Sequence, residues 1–215
     1  MAGGLEVEVK LWVDDLAQSR NGLVATKALL DEMGASLIHP REFEDNLAFD
    51  FPDRSIVRSG SLLRVRIMAR GTLLTFKGPV APLAGLMASG DRGESAGSGS
   101  PSMKARHETE LMIPSNETDA LVAIIRGLGM EPVFQYQKYR TTWDWRGLHI
   151  LLDETPIGIY LELEGDRALI EAGARELGYR SEDFITKSYR DLYLEHLDQG
   201  AQGLQGSRSA DRMVF

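Results

Sequence analysis

The clearest regularity in this 215-residue chain is a period of two. In Leu5-Glu6-Val7-Glu8-Val9-Lys10-Leu11, apolar and charged residues alternate without a break. Successive side chains of an extended strand point to opposite faces, so one face gathers Leu5, Val7, Val9 and Leu11 and the other Glu6, Glu8 and Lys10. This predicts a strand over 5–13, and related stretches predict strands over 36–50, 62–68, 72–77, 104–113, 133–145, 148–153 and 159–164. Ala69-Arg70-Gly71 is a hairpin signal between the third and fourth. Helical signals fall between the strands. One helix is predicted from the Asp14-Asp15 cap to Met33, with Leu23, Ala28, Leu29, Leu30 and Met33 on its apolar side and Gly34 as its stop. Another follows Pro114-Ser115-Asn116 and carries Leu121, Ile124, Ile125 and Leu128, and two more run at about 166–177 and 187–197. Residues 81–102 are rich in Gly, Ser, Ala and Pro and read as a flexible internal loop, and 199–215 as a disordered C-terminal tail. Strands that follow one another through turns predict an α+β chain, a single domain over 1–198 built as an antiparallel sheet or β-barrel with helices packed outside.

Composition narrows the function. Net charge is −8 and the isoelectric point near 5.1, which argues against coating nucleic acid or an anionic membrane. There are no cysteines, so disulfides, thiolate catalysis and cysteine metal sites are excluded. No apolar signal-peptide core opens the chain and no run is long enough for a membrane span, so a cytoplasmic protein is expected. His39, His107, His149 and His196 fall in no ligand spacing. Trp143 and Trp145 alternate with polar residues and read as packing on an outer face rather than as a base-stacking platform. Tyr189 reads equally as core or as a cap on a site.

Charge then sorts by parity. Arg64 and Arg66 alternate with Leu63, Val65 and Ile67, and Lys77 ends the next strand. Arg106, Glu108 and Glu110 stand two apart, as do Lys138 and Arg140, and Glu162 and Glu164. Asp153 ends the apolar run Ile150-Leu-Leu. Any one of these pairs reads as the wet face of a half-solvated strand. Taken together, they concentrate Arg and Glu where solvated strands usually mix Thr, Ser, Gln and Lys. If the sheet curls with this face inward, carboxylates and cations share an interior, an arrangement costly to bury unless ligands complete it. A polyanion suits the Arg/Lys half and a divalent cation the carboxylate half. A metal–triphosphate chelate supplies both.

In that order, Glu6-x-Glu8-x-Lys10, Arg64-x-Arg66, Lys77, Arg106-x-Glu108, Lys138-x-Arg140, Asp153 and Glu162-x-Glu164 resemble the CYTH domain, or triphosphate tunnel metalloenzyme, family. The resemblance covers about residues 5–197, ending on Thr186-Lys-Ser-Tyr-Arg-Asp-Leu192. The family includes class IV adenylyl cyclases, thiamine triphosphatases and inorganic triphosphatases. The resemblance implies an eight-stranded antiparallel barrel whose tunnel is lined by these charges. It implies that Glu6, Glu8, Asp153, Glu162 and Glu164 hold Mg²⁺ or Mn²⁺. It assigns triphosphate binding to Lys10, Arg64, Arg66, Lys77, Arg106, Lys138, Arg140 and Lys187, and gives Lys77, Asp153 and Arg66 catalytic parts. Glu108 and Glu110 stand between two roles, support of the metal or partners for the cations. The expected partner is a small molecule carrying a triphosphate, whether tripolyphosphate, ATP or thiamine triphosphate, with no nucleic acid and no membrane, bound by a monomer or homodimer. One departure bears on substrate. Many relatives carry a tyrosine where Asn46-Leu-Ala-Phe-Asp50 offers Ala48 and Phe49, which argues against specialised thiamine triphosphatase activity. Triphosphate hydrolysis is the expected reaction, cyclisation of ATP to cyclic AMP and pyrophosphate the alternative, and a non-catalytic polyphosphate or nucleotide sensor the second alternative.

Overall fold

The computed structural model describes residues 4–13, 21–81, 103–200 and 210–215. Among them, nine strands form one sheet: β1 (Gly4–Trp12), β2 (Ser36–Asp50), β3 (Leu62–Met68), β4 (Gly71–Lys77), β5 (Lys104–Ile113), β6 (Glu131–Trp145), β7 (Leu148–Thr155), β8 (Gly158–Glu164) and β9 (Arg212–Met213). The first eight are antiparallel neighbours in the order β2-β3-β4-β5-β1-β8-β7-β6, and β6 pairs back onto β2 to close a barrel. Closure depends on the two longest strands, β2 and β6, each of 15 residues. Their pairing slips between Leu37 and His39, between His39 and Glu42, and between Ala48 and Phe49. Such irregularities bend and twist a strand, which is what curls a sheet. Among the described residues, five α-helices accompany the barrel: α1 (Asn21–Glu32), α2 (Ser55–Arg58), α3 (Thr118–Gly127), α4 (Arg167–Glu176) and α5 (Tyr189–Gly200). No helix among the described residues is long and apolar enough to cross a membrane.

The alternation read in the sequence is realised with its apolar face outward. Val9 and Leu11 of β1, Ile150 and Leu152 of β7, and Leu161 and Leu163 of β8 are buried against Leu30 of α1 and Ile170 and Ala174 of α4. Each fully buried aliphatic side chain contributes about 1.5–3 kcal/mol. Helix α4 approaches closely because Gly173 has no side chain, and a Cβ there would fall 2.4 Å from Leu148 Cδ2. Its start is capped by Asp166, whose carboxylate accepts from the Ala168 N–H. Trp143 and Trp145 lie in this outer layer, as expected, and the Trp145 indole N–H donates to the Met33 carbonyl. A smaller cluster, Phe49, Val65, Ile125 and Met130, fixes α3 against β2 and β3.

Helix α5 begins at Tyr189, two residues later than expected. The Ser188 hydroxyl accepts from the Asp191 N–H and the Asp191 carboxylate accepts from the Ser188 N–H, a reciprocal cap that sets the boundary. The predicted Asp14-Asp15 cap and most of the 81–102 loop lie outside the described residues. The expectation of a disordered tail is corrected at its end. Strand β7 leaves β6 at Tyr139, and Arg212–Met213 pairs in parallel with Gln135 and Tyr136 on the edge left open. Met213 is buried there beside Phe134 and Tyr136, and Phe215 packs on Tyr139. A two-residue strand has no periodicity by which a sequence could announce it.

Candidate active site in the barrel interior

Strand register decides which inward charges meet. Directly opposed residues of antiparallel strands share a face with Cβ atoms about 4.5–5.5 Å apart. On β1 and β8 this places Lys10 across from Glu162, an attractive pair, but Glu8 across from Glu164, a repulsive one. On the other side of β1, Glu6 faces Arg106 and Glu8 faces Lys104. Three regions result.

The first is acidic. One carboxylate oxygen from each of Glu6, Glu8 and Glu164 lies within 4.8 Å of the others. The Lys77 ammonium reaches into the group, 3.1 Å from Glu6 Oε2 and 3.5 Å from Glu8 Oε2, and also pairs with Glu108. One ammonium does not satisfy all of these carboxylates. Burial pushes the Glu6 carboxyl up to about 7, aided by its hydrogen bond with Glu108 and opposed by Lys77. Burial also raises Glu164, with the Glu6 charge adding to it. Glu8 goes the other way: burial would raise it, but Lys10 and Lys77 hold it below the usual carboxylate range. A group of clustered carboxylates short of positive charge fits a hard divalent cation such as Mg²⁺ or Mn²⁺, which takes oxygen ligands.

The second region is a closed ion-pair network. Asp153, fully buried, accepts from Lys138 Nζ at 2.7 Å, from Arg140 Nε and Nη2 at 2.6 Å each, and from the Tyr189 hydroxyl at 2.6 Å. Four donors use the roughly four acceptor sites of a carboxylate. Asp153 is therefore the counter-ion of the basic pair, not a carboxylate with room for a metal. Glu162 is likewise engaged, by Arg140 Nη2 at 2.6 Å and Lys10 at 3.2 Å. Arg66 is held by Glu44 at 3.3 Å and by the Asn46 side-chain oxygen. Of the five carboxylates the sequence offers for metal, the fold gathers three and commits two elsewhere.

The third region is cationic and open. A cavity of about 480 Å³ is lined by Glu8, Lys10, Arg64, Lys77, Lys104, Arg106, Lys138 and Glu162, and further along by Ala48, Leu62, Val133, Phe134, Tyr136 and Tyr189. Arg66 and Arg140 do not line it. Among the described residues, Arg64, Lys104 and Arg106 form no ion pair with a carboxylate, and the buried Nε atoms of Arg64 and Arg106 have no hydrogen-bond partner. Burial, followed by the charge of Lys10, lowers the Lys104 ammonium to about 8. The cavity rim is braced by Asp50, whose carboxylate accepts from the N–H groups of Phe51, Ile56 and Val57 and so holds α2 in place.

Most of the residues singled out in the sequence converge on this interior. Lys187 does not: it is exposed and paired with Glu195 outside the tunnel. Glu108 stands with Lys77, and Glu110 accepts from Thr75 at the exposed end of β5. Tyr189 caps the basic pair, its ring 5.2 Å from the Lys10 ammonium and 5.0 Å from that of Lys138. Sequence reasoning passed over Glu44, Asn46, Thr75, Lys104 and Tyr136. Each belongs to the inward face of a strand already recognised. Thr75, Lys104 and Tyr136 lie two residues before Lys77, Arg106 and Lys138, so extending the same parity by one step was the available signal.

Residues 4–189 match the CYTH domain family, and the chain belongs to it. Family members act as divalent-metal-dependent triphosphatases or adenylyl cyclases. Comparison with curated protein sequences gives no match. Among solved structures, the fold is similar to a candidate adenylate cyclase from Vibrio parahaemolyticus, with TM-score 0.68 and 18% identity over 89% of this chain and 99% of that one. It is similar to a Pyrococcus horikoshii OT3 protein, with TM-score 0.64 and 23% identity over 89% and 99%. It also resembles a Hippeastrum protein described as a candidate adenylyl cyclase with dominant triphosphatase activity, with TM-score 0.58 and 15% identity over 89% and 95%.

Proposed function

Starting from membership of the CYTH family, we propose that this protein is a divalent-metal-dependent triphosphatase acting on inorganic triphosphate or on an organic triphosphate. One observation carries the reading: the acidic group and the unpartnered cations converge on one interior, and Glu8 belongs to both the group and the cavity wall. Glu6, Glu8 and Glu164 would hold Mg²⁺ or Mn²⁺. When bound, such an ion neutralises phosphate oxygens and lowers the pKa of bound water. Arg64, Lys104 and Arg106, having no carboxylate to satisfy, receive the phosphates. Lys77, shared between the carboxylates and the cavity, balances charge on the transferred phosphoryl group. Phosphoryl transfer asks a protein mainly to position reactants and stabilise charge, and these residues do both. Arg140 and Asp153 act one layer behind and, with Glu162 in the cavity wall, fix Lys10 and Lys138 in place, while Arg66 is held by Glu44 and Asn46.

Adenylyl cyclase activity is the second reading, favoured by the apolar stretch of cavity wall at Ala48, Leu62, Val133 and Phe134, which offers a surface to an organic group beyond the phosphates. Incubation of the purified protein with Mg²⁺ or Mn²⁺ and either tripolyphosphate or ATP separates the two. Orthophosphate release from tripolyphosphate supports hydrolysis, and cyclic AMP as the main product from ATP reverses the order. Tight binding without turnover with either metal leaves a sensor.

A further inference from the structure

At Arg64 and Tyr136, buried hydrogen-bonding capacity in the cavity exceeds what the described residues satisfy. Both side chains line the cavity, and the two residues are only 6% and 7% exposed. Arg64 donates from Nη1 to the Tyr136 hydroxyl oxygen and from Nη2 to Thr75 Oγ1, each at 3.2 Å, and its buried Nε donates to nothing. The Tyr136 oxygen thus accepts a bond, while its own O–H proton has no acceptor among the described residues. The nearby Asn46 and Thr75 are engaged with other partners. Asn46, across the strand pair, uses its oxygen for Arg66 and its amide for the Tyr136 carbonyl. Thr75 donates its own proton to Glu110. The charges that act most strongly on the phenol are those of the cations Arg64, Lys138 and Arg66. A buried donor left unmade costs about 1–3 kcal/mol; here the Arg64 Nε–H has no partner and the Tyr136 hydroxyl beside it only accepts.

We propose that Tyr136 is a phosphate-binding residue, its O–H donating to an oxygen of the phosphate that Arg64 engages. The proposal rests on the triphosphate reading above and adds a neutral donor to what the sequence offers as a purely cationic set. An anionic oxygen is the acceptor that suits this place, because it satisfies the phenol and gives Arg64 the ion pair it lacks among the described residues. The ring is held in position. Phe134 stacks on it with centroids 5.7 Å apart, and Tyr189 lies 5.9 Å away on α5. Although burial alone would raise the phenol, Arg64 and Lys138 bring it below the ordinary tyrosine range, which strengthens the O–H as a donor.

The test is Tyr136→Phe, which removes the hydroxyl and keeps the ring. Tripolyphosphate binding is measured by calorimetry in metal-free buffer for wild type, Tyr136→Phe, Arg64→Gln and the double variant. Tyr136→Phe weakens binding about tenfold, as expected for one lost hydrogen bond to a charged group, with the melting temperature nearly unchanged. The weakening persists in the Arg64→Gln background, because the phenol touches the ligand directly. Unchanged affinity in the single variant overturns the proposal. So does a loss that vanishes when Arg64 is already gone, since Tyr136 then only orients the guanidinium. Wild-type protein that binds tripolyphosphate and responds to Tyr136→Phe, yet turns over nothing with Mg²⁺ or Mn²⁺, supports Tyr136 and removes the hydrolase reading. Wild-type protein that binds no tripolyphosphate overturns both.

Discussion

Leu161 and Leu163, on the outer face of β8, are buried among aliphatic side chains under α1 and α4. Glu162, between them in sequence, is nearly as buried on the inner face, but among Lys10 and Arg140. The two faces of one barrel wall are thus both withdrawn from water, for opposite physical reasons. Outside, burial itself is favourable and needs no particular partner. Inside, burial is unfavourable for each charge and is tolerated only where an opposite charge completes it. The difference locates function. Asp153 and Glu162 are completed by protein groups and belong to the scaffold. Glu6, Glu164, Arg64, Lys104 and Arg106 are not, and those are the groups left to meet a ligand.

The sharpest way to break this comparison is to remove a completed inner charge. Asp153→Asn leaves Lys138 and Arg140 short of their counter-ion, and we expect a loss of about 3–5 kcal/mol in urea unfolding together with loss of tripolyphosphate binding. A variant as stable as wild type would show that the inner network does not support the fold. On the outer face, Leu163→Ala should cost about 2–5 kcal/mol in the same assay. Well below its melting temperature it should keep wild-type kcat/KM for tripolyphosphate, and a large kinetic defect would mean that the two faces are not independent.

Glu8→Gln removes a carboxylate of the acidic group proposed to hold the metal. Turnover with Mg²⁺ or Mn²⁺ should fall by at least about 100-fold, which is about 2.7 kcal/mol, while metal-free stability changes far less than in Asp153→Asn. Retained turnover with full metal dependence would place the metal elsewhere.

The pH dependence is a smaller effect with a definite sign. The raised Glu6 carboxyl favours the metal-free fold below its ordinary 4.5, and that contribution is lost as pH rises through about 7. Glu164, shifted the same way, adds to it. Metal must displace these protons, so Mn²⁺ affinity by calorimetry should tighten about tenfold or more from about pH 6 to about pH 8, with proton release at the acid end. Flat affinity across that range would show that neither carboxyl is a ligand. The smallest effect is expected at Lys187, outside the tunnel. Lys187→Ala should leave kcat/KM unchanged and stability within about 0.5 kcal/mol, and a clear kinetic loss would bring the residue back to the substrate.

The strands that line the site were legible because each carries its own alternation, and parity alone put Glu6, Glu8 and Lys10 on one face and Arg64 and Arg66 on another. Less legible was anything set between strands. Glu44 lies on β2 amid a mixed polar run, and its importance comes from the pairing that sets Lys138 across from it and the ion pair that brings Arg66 to it. Tyr136 looks like an ordinary strand aromatic until Arg64 arrives from β3. Lys187 is adjacent in sequence to residues at the cavity but has its side chain on the outside, paired with Glu195. The end of the tail went unread because two residues that complete an open edge are defined by the edge, not by their own sequence.

The sequence by itself determined the inventory and its sidedness: which residues are strands, which parity is charged, and that carboxylates and cations would share an interior if the sheet closed. It could do so because side-chain direction along a strand is a local property of the backbone. Only the tertiary structure decided who is paired with whom. Cross-strand register set Glu8 against Glu164, Lys10 against Glu162 and Arg140 against Asp153, and closure brought Glu44 of β2 to Lys138 of β6. A one-residue slip would have set Glu8 against Leu163 and turned the inward charges of one strand to the outer face. Whether a buried charge belongs to the scaffold or to the ligand depends on distances between chain segments remote in sequence, and these exist only once the barrel has closed.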